Sequence, residues 1–251
     1  MAANVSDEAG GSGPRPSPQA SPGLSPRVEA VGAFVVVTVL VSLLYRLRGV
    51  GFVERNLAVI AAVLFLYLPA LLLWRRGRDL EQYGLRLQPL GRGLAFYGLA
   101  VAVVLPLFAL GYWLYVRRLC PWLVHLPLLH GKQALLRCPP LVTPALRPPP
   151  DLLMSVLSQI LVVALPEEFF FRGFILGRLG ETMSPLRALL LSALLFALGH
   201  YFVTFDPGAL AVFFPALLFG LLRLGTGSVL AGTLFHATCN LLIDTLHRSL
   251  G

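Results

Sequence analysis

Seven stretches of this chain carry no Asp, Glu, Lys or Arg and consist largely of aliphatic and aromatic residues: Ala30 to Tyr45, Leu57 to Trp74, Gly93 to Val116, Leu152 to Pro166, Leu189 to Val203, Gly208 to Leu222 and Ser228 to Ile243. Water-soluble domains are not written this way. Of the 251 residues, 57% are hydrophobic and 13% charged, against roughly 25% charged in an ordinary soluble domain. A hydrocarbon core about 30 Å thick takes about 20 apolar residues per helix, so the pattern predicts about seven membrane spans, with six and eight as its bounds. The alternating pattern of a membrane β-barrel is missing, and inside lipid only helices and closed barrels satisfy their own backbone. The expected fold is an all-α, polytopic helical membrane bundle, and the chain is expected to be an integral membrane protein.

Residues 1–27 are rich in Gly, Pro and Ser and too poor in apolar residues to build a core, so a disordered tail is expected there. A cleavable signal would place its apolar stretch directly behind a basic start; here the apolar run opens near residue 30 and reads as an uncleaved first span. Residues 28–150 read as a three-helix membrane scaffold plus a long polar loop that ends in "RPPPD". Pro150 and Asp151 are helix-starting residues for the fourth span. Residues 151–246 hold the remaining spans and the polar residues that interrupt them. Cys120 and Cys138 flank the long loop and could be disulfide-bonded or free, while Cys239 reads as a small residue within the last apolar run.

The formal net charge is +8, but the 20 basic residues are spread through the tail and the inter-helix segments instead of forming one patch. That is the distribution of topology signals in a membrane protein, and no nucleic-acid partner is expected. Nineteen of the 20 are Arg, a bias that suits a GC-rich genome; the bacterial inner (plasma) membrane is the expected location.

The stretch "PEEFFFRGFIL", residues 166–176, breaks the apolar pattern with Glu167, Glu168 and Arg172. An ionised side chain at the bilayer centre costs roughly 2.5–3.5 kcal/mol on insertion scales, so such groups are paired, water-facing or functional. Glu168 and Arg172, four apart, share a helix face and can form an ion pair, whereas Glu167 lies about 100° around the helix from Glu168. The plain alternative is that the triplet is a solvated helix end. Two further segments weigh against it. "FALGH" sets His200 one turn after Phe196, and "HATCN" sets His236 and Asn240 on one helix face. A lone membrane histidine commonly hydrogen-bonds to a neighbouring helix, but three such segments in succession point to a shared site.

Glu-Glu-x-x-x-Arg, Phe-x-x-x-His and His-x-x-x-Asn, in this order and each on its own apolar segment, resemble the motifs of the CAAX prenyl endopeptidase and bacteriocin-processing (CPBP) family of intramembrane proteases. The resemblance covers residues 151–246, with every motif position filled. It implies an endopeptidase that cuts a peptide bond near a membrane-anchored segment, which could be a C-terminal sorting anchor, a leader or a CAAX-type tail. Its implied partners are a membrane-anchored protein or peptide substrate and the lipid bilayer. By the same resemblance Glu167 is the general base, His200 helps to position the attacking water, and His236 and Asn240 stabilise the oxyanion. Glu168 with Arg172 would set the helix geometry and local field, and Phe196 would be a packing wall.

The family has been described both as metalloproteases and as glutamate proteases. Glu167, His200 and His236 could supply the three protein ligands of a catalytic zinc. The compact His-Glu-x-x-His helix of zinc proteases is absent, however, so cofactor-free glutamate catalysis is the favoured expectation. No Gly-x-Ser-x-Gly elbow is present, and Ser155, Ser158, Ser192 and Ser228 read as small residues at helix contacts. Two other classes stay open: a catalytically inactive scaffold or immunity relative, and a proton-coupled transporter with Glu167, His200 and His236 as its relay. The lack of an internal repeat counts against the transporter.

Overall fold

The computed structural model describes residues 24–124 and 147–250, and all regular structure among them is helical. Among the described residues, six helices are long and apolar enough to cross a membrane. They are α1 (Pro26–Arg46), α2 (Gly51–Arg75), α3 (Leu90–Leu114), α4 (Leu152–Gly180), α5 (Pro185–Thr204) and α6 (Pro207–Thr226). A seventh helix, α7 (Leu230–Leu250), is as long as α1 but more polar, with Asp244 and Arg248 paired at 2.9 Å near its end. The expected apolar runs thus appear as helices. The fourth run, however, continues through the charged triplet to Gly180 instead of stopping at Pro166.

Local signals set several of the boundaries. Ser25 caps α1, its hydroxyl accepting from the Val28 N–H, and Pro26 fills the first turn, where its missing N–H costs nothing. Pro185 opens α5 in the same way. Gly227, at φ +73°, ends α6 in the left-handed conformation that glycine adopts without strain. Asp151 occupies the N-cap of α4, but its side chain makes no capping bond.

Helix α4 is the pole of the bundle. Every residue from 168 to 176 is buried, the mark of a helix enclosed on all sides. The run Phe169, Phe170, Phe171 therefore packs in several directions at once. Phe171 meets Phe34 of α1, Phe65 of α2 and Phe196 of α5, at ring-centroid distances of 6.5, 5.9 and 4.9 Å. Helices α2 and α3 turn large apolar side chains such as Tyr67, Leu99 and Val103 outward, as a lipid-facing surface requires.

At one end of the bundle a polar cluster ties α1, α2 and α4 together. Buried Glu29 pairs with Arg76 at 3.0 Å and, closely, with Arg178, which also holds Glu181 at 2.9 Å. The Tyr83 hydroxyl donates to Glu181. The link between α2 and α3 is clamped onto this end. Arg223 donates to the Gln82 carbonyl and Arg86 to that of Gly227, both at 3.0 Å. The Ser228 hydroxyl donates to the Arg86 carbonyl at 2.6 Å, and the Val229 N–H to that of Gly84 at 3.0 Å. Cys120 is buried; Cys138 and most of the expected tail and polar loop lie outside the described residues.

Candidate active site

The site is built on an irregular stretch of α4. Two π-helical segments, Gln159–Ala164 and Phe169–Ile175, flank a single α-turn, Leu165–Glu168, that carries both carboxylates. Pro166 lies inside this long helix, where its missing N–H and its ring would break an α-helical ladder. The widened π turns directly before it take up that irregularity. Single π turns are rare and concentrate at functional sites.

Glu168 and Arg172 lie deep inside the bundle, 0% and 1% exposed, and Glu167 is partly buried, so the triplet is not a solvated helix end. Their expected ion pair is present, with Arg172 Nη1 3.1 Å from Glu168 Oε1. That contact is close but not aligned as a hydrogen bond. Arg172 Nη2 donates to the Ala216 carbonyl on α6 at 3.3 Å. The guanidinium is enclosed by aromatic faces, 4.2 Å from the Phe196 centroid and 5.0 Å from that of Phe219, where a cation is favoured by the ring quadrupole. Phe196 is itself 2% exposed and touches the His200 ring at 4.4 Å.

Glu168 also reaches α7. Its Oε1 lies 3.0 Å from Nδ1 of His236, and because a carboxylate only accepts, Nδ1 carries the proton. Nε2 of the same ring then faces Glu167, 3.9 Å from its Oε2. The His236 plane is held by Phe219, stacked at 4.8 Å and 14°. Gly232, one turn earlier on α7, gives Glu168 its room: a Cβ there would stand 3.0 Å from Oε2.

Glu167 and His200 share a cavity of about 150 Å³, walled by Thr38 and Val41 of α1, Ala61 and Phe65 of α2, and Phe171. Glu167 Oε2 is buried and accepts no hydrogen bond from the described residues. His200 Nδ1 lies 3.0 Å from the Phe196 carbonyl. A carbonyl cannot donate, so Nδ1 holds a proton. Asn240, one turn after His236, donates from Nδ2 to Gln159 Oε1 at 3.0 Å.

The structure therefore gathers Glu167, Glu168, Arg172, Phe196 and His236 into one contact network, with His200 across the cavity from Glu167. Asn240 enters through Gln159. Gln159, Phe219 and Gly232 escaped the motif reading. A signal for two of them was present, since Gly232 shares a face with His236 and Asn240 at successive four-residue steps, and Gln159 is the one amide in the fourth apolar run. Among the described residues no three His, Cys, Asp or Glu side chains are grouped so that they could hold a metal ion. Glu167, His200 and His236 are not gathered into such a group. Cys239 is a free thiol packed beside the Phe219 and Phe235 cluster.

Residues 149–242 match the family model described as type II CAAX prenyl endopeptidase Rce1-like. No curated protein and no solved structure matches the chain. The matched range opens just before α4 and closes within α7, and so contains all three motifs and Gln159. Residues 149–242 are an Rce1-like domain, a domain of the membrane-protease family whose motifs this sequence carries.

Proposed function

We propose that the protein is an intramembrane endopeptidase that uses Glu167 to activate water against a peptide bond close to a membrane anchor. The observation that carries this reading is the state of Glu167. Its Oε2 is buried without a hydrogen-bond donor and faces His236 Nε2 at 3.9 Å, and the side chain opens on a cavity shared with His200. A buried carboxylate oxygen left without a donor is costly, and a water held between Glu167 and His200 Nε2 satisfies it. The cavity, about 150 Å³, exceeds the roughly 30 Å³ that one water occupies.

In the proposed reaction Glu167 takes a proton from that water as its oxygen bonds to the scissile carbonyl carbon. The carbonyl oxygen becomes the oxyanion and is met by Nε2–H of His236 and the free N–H of Asn240. Collapse of the intermediate breaks the C–N bond, and Glu167 delivers its proton to the leaving nitrogen. His236 must carry protons on both ring nitrogens to act as that donor. Glu167 and Glu168 both lie beside its ring, at 3.9 and 3.0 Å. Glu168 thereby holds His236 in orientation while balancing Arg172. No step is assigned to a metal.

The substrate follows from the position of the site. Glu167 lies near the middle of a span of 29 residues, so a peptide bond must be brought into the membrane to reach it, and an anchored segment does so. The test is cleavage of matched peptides with and without a transmembrane or lipid anchor by the purified protein in bilayer discs. Cleavage confined to anchored peptides supports the reading. Equal cleavage of the anchorless set overturns the anchor requirement, and no cleavage, with proton-driven uptake in vesicles altered by Glu167→Ala, overturns the protease.

A further inference from the structure

We propose that Gln159, outside the three motifs, is a positioning residue that presents the Asn240 amide to the oxyanion. The inference rests on the reading of Asn240 as an oxyanion donor.

An asparagine amide can turn either its NH₂ or its carbonyl oxygen toward a substrate, and the wrong face would repel a developing anion. Gln159 Oε1 accepts from Asn240 Nδ2 at 3.0 Å. In that bond Asn240 is the donor, and the second N–H of the same nitrogen is left to donate. His236 is held in parallel fashion, its Nδ1 bound to Glu168 at 3.0 Å. Both α7 donors are therefore fixed by side chains of α4.

The backbone of α4 makes this double tether possible. Gln159 and Glu168 are nine positions apart, and on an uninterrupted α-helix, at 3.6 residues per turn, they would point to opposite sides. The π segment Gln159–Ala164 lies between them. A π turn takes up about one residue more than an α turn, so the nine-residue interval behaves like eight, and residues eight apart lie on one face. The π segment thus swings Gln159 onto the side where Glu168 meets α7. Simple interhelical glue would need the bond but would have no effect reserved to the chemical step.

The test is a kinetic cycle on an anchored substrate cleaved by the wild type, with thermal unfolding measured for every variant. Gln159→Met keeps the length and removes the acceptor, and Gln159→Asn keeps an amide but shortens its reach. Each is expected to lower kcat about tenfold, a fraction of the loss seen when an oxyanion donor is deleted, with KM unchanged. In the Asn240→Ala background Gln159→Met is expected to add no further loss, because the two act as a unit. Wild-type kcat in both Gln159 variants, alongside an impaired Asn240→Ala, overturns this inference alone, as do independent, multiplying losses in the double variant. A fully active Asn240→Ala overturns the reading of Asn240 as donor and the inference with it.

Discussion

Glu168 and His236, 68 positions apart in the chain, meet at 3.0 Å through Oε1 and Nδ1. The same carboxylate oxygen stands 3.1 Å from Arg172 Nη1, so one side chain serves as counter-ion to a guanidinium and as anchor to an imidazole. Glu168→Gln can still accept from His236 but leaves Arg172 buried without its charge partner. Removing one member of a buried ion pair costs about 3–5 kcal/mol. The expected result is a large drop in thermal stability in detergent, with a smaller one in a Glu168→Gln, Arg172→Met double variant that removes the stranded charge.

Phe196 lies between the Arg172 guanidinium, at 4.2 Å, and the His200 ring, at 4.4 Å. Its side chain fills the space that keeps both in place. Phe196→Ala is expected to lose about 3–5 kcal/mol through the cavity it leaves. Phe196→Leu should lose less and retain cleavage with KM near the wild-type value. A Phe196→Leu variant that folds normally but loses substrate affinity would place the ring in contact with substrate.

The link between α2 and α3 is seated on α4 through glycine. A Cβ added at Gly173 would stand 2.7 Å from the Tyr83 carbonyl oxygen, a backbone atom that cannot swing aside. Gly173→Ala is therefore expected to cost about 1–3 kcal/mol as an overpacking change. It should also raise proteolysis within residues 77–89, measured by limited digestion. Unchanged protection of that link would show that it is held elsewhere.

The polar cluster at the same end makes stability depend on acid. Burial pushes the Glu181 carboxyl up, but the Tyr83 hydroxyl and the Arg178 and Arg78 guanidinia outweigh it and hold the group below the ordinary glutamate value of 4.5. A carboxyl depressed in the folded state adds stability above its unfolded pKa and loses it as pH falls through the folded one. Wild type should thus lose unfolding temperature below about pH 4.5 more steeply than Glu181→Gln, the two curves converging at the acid end. Parallel curves would contradict the assignment.

The spans were legible in the sequence because lipid leaves an apolar run of that length one backbone solution, and the Glu168–Arg172 pair followed from helix spacing alone. Where α4 ends was not. Pro166 and the charges after it read as a boundary, whereas the π segment before Pro166 absorbs the irregularity and burial on all sides carries the helix on to Gly180. The contacts of Glu168 with His236 and of Gln159 with Asn240 were also hidden. They depend on how two helices register across the bundle, and a π insertion changes that register without leaving a periodic mark. His200 and Glu167 could be named from their motifs, but their common cavity is walled by α1 and α2, whose apolar residues carry no motif.

In the proposed reaction Glu167 performs the proton chemistry without a metal. The most direct measurement is single-turnover cleavage of an anchored peptide by wild type and Glu167→Ala in bilayer discs, each with and without a strong chelator. Glu167→Ala is expected to lose at least about a hundredfold in rate, the scale of a general base, while wild type keeps its rate after chelation. Chelator-sensitive wild-type activity restored by added zinc, or a Glu167→Ala variant that still cleaves at the wild-type rate, would contradict it.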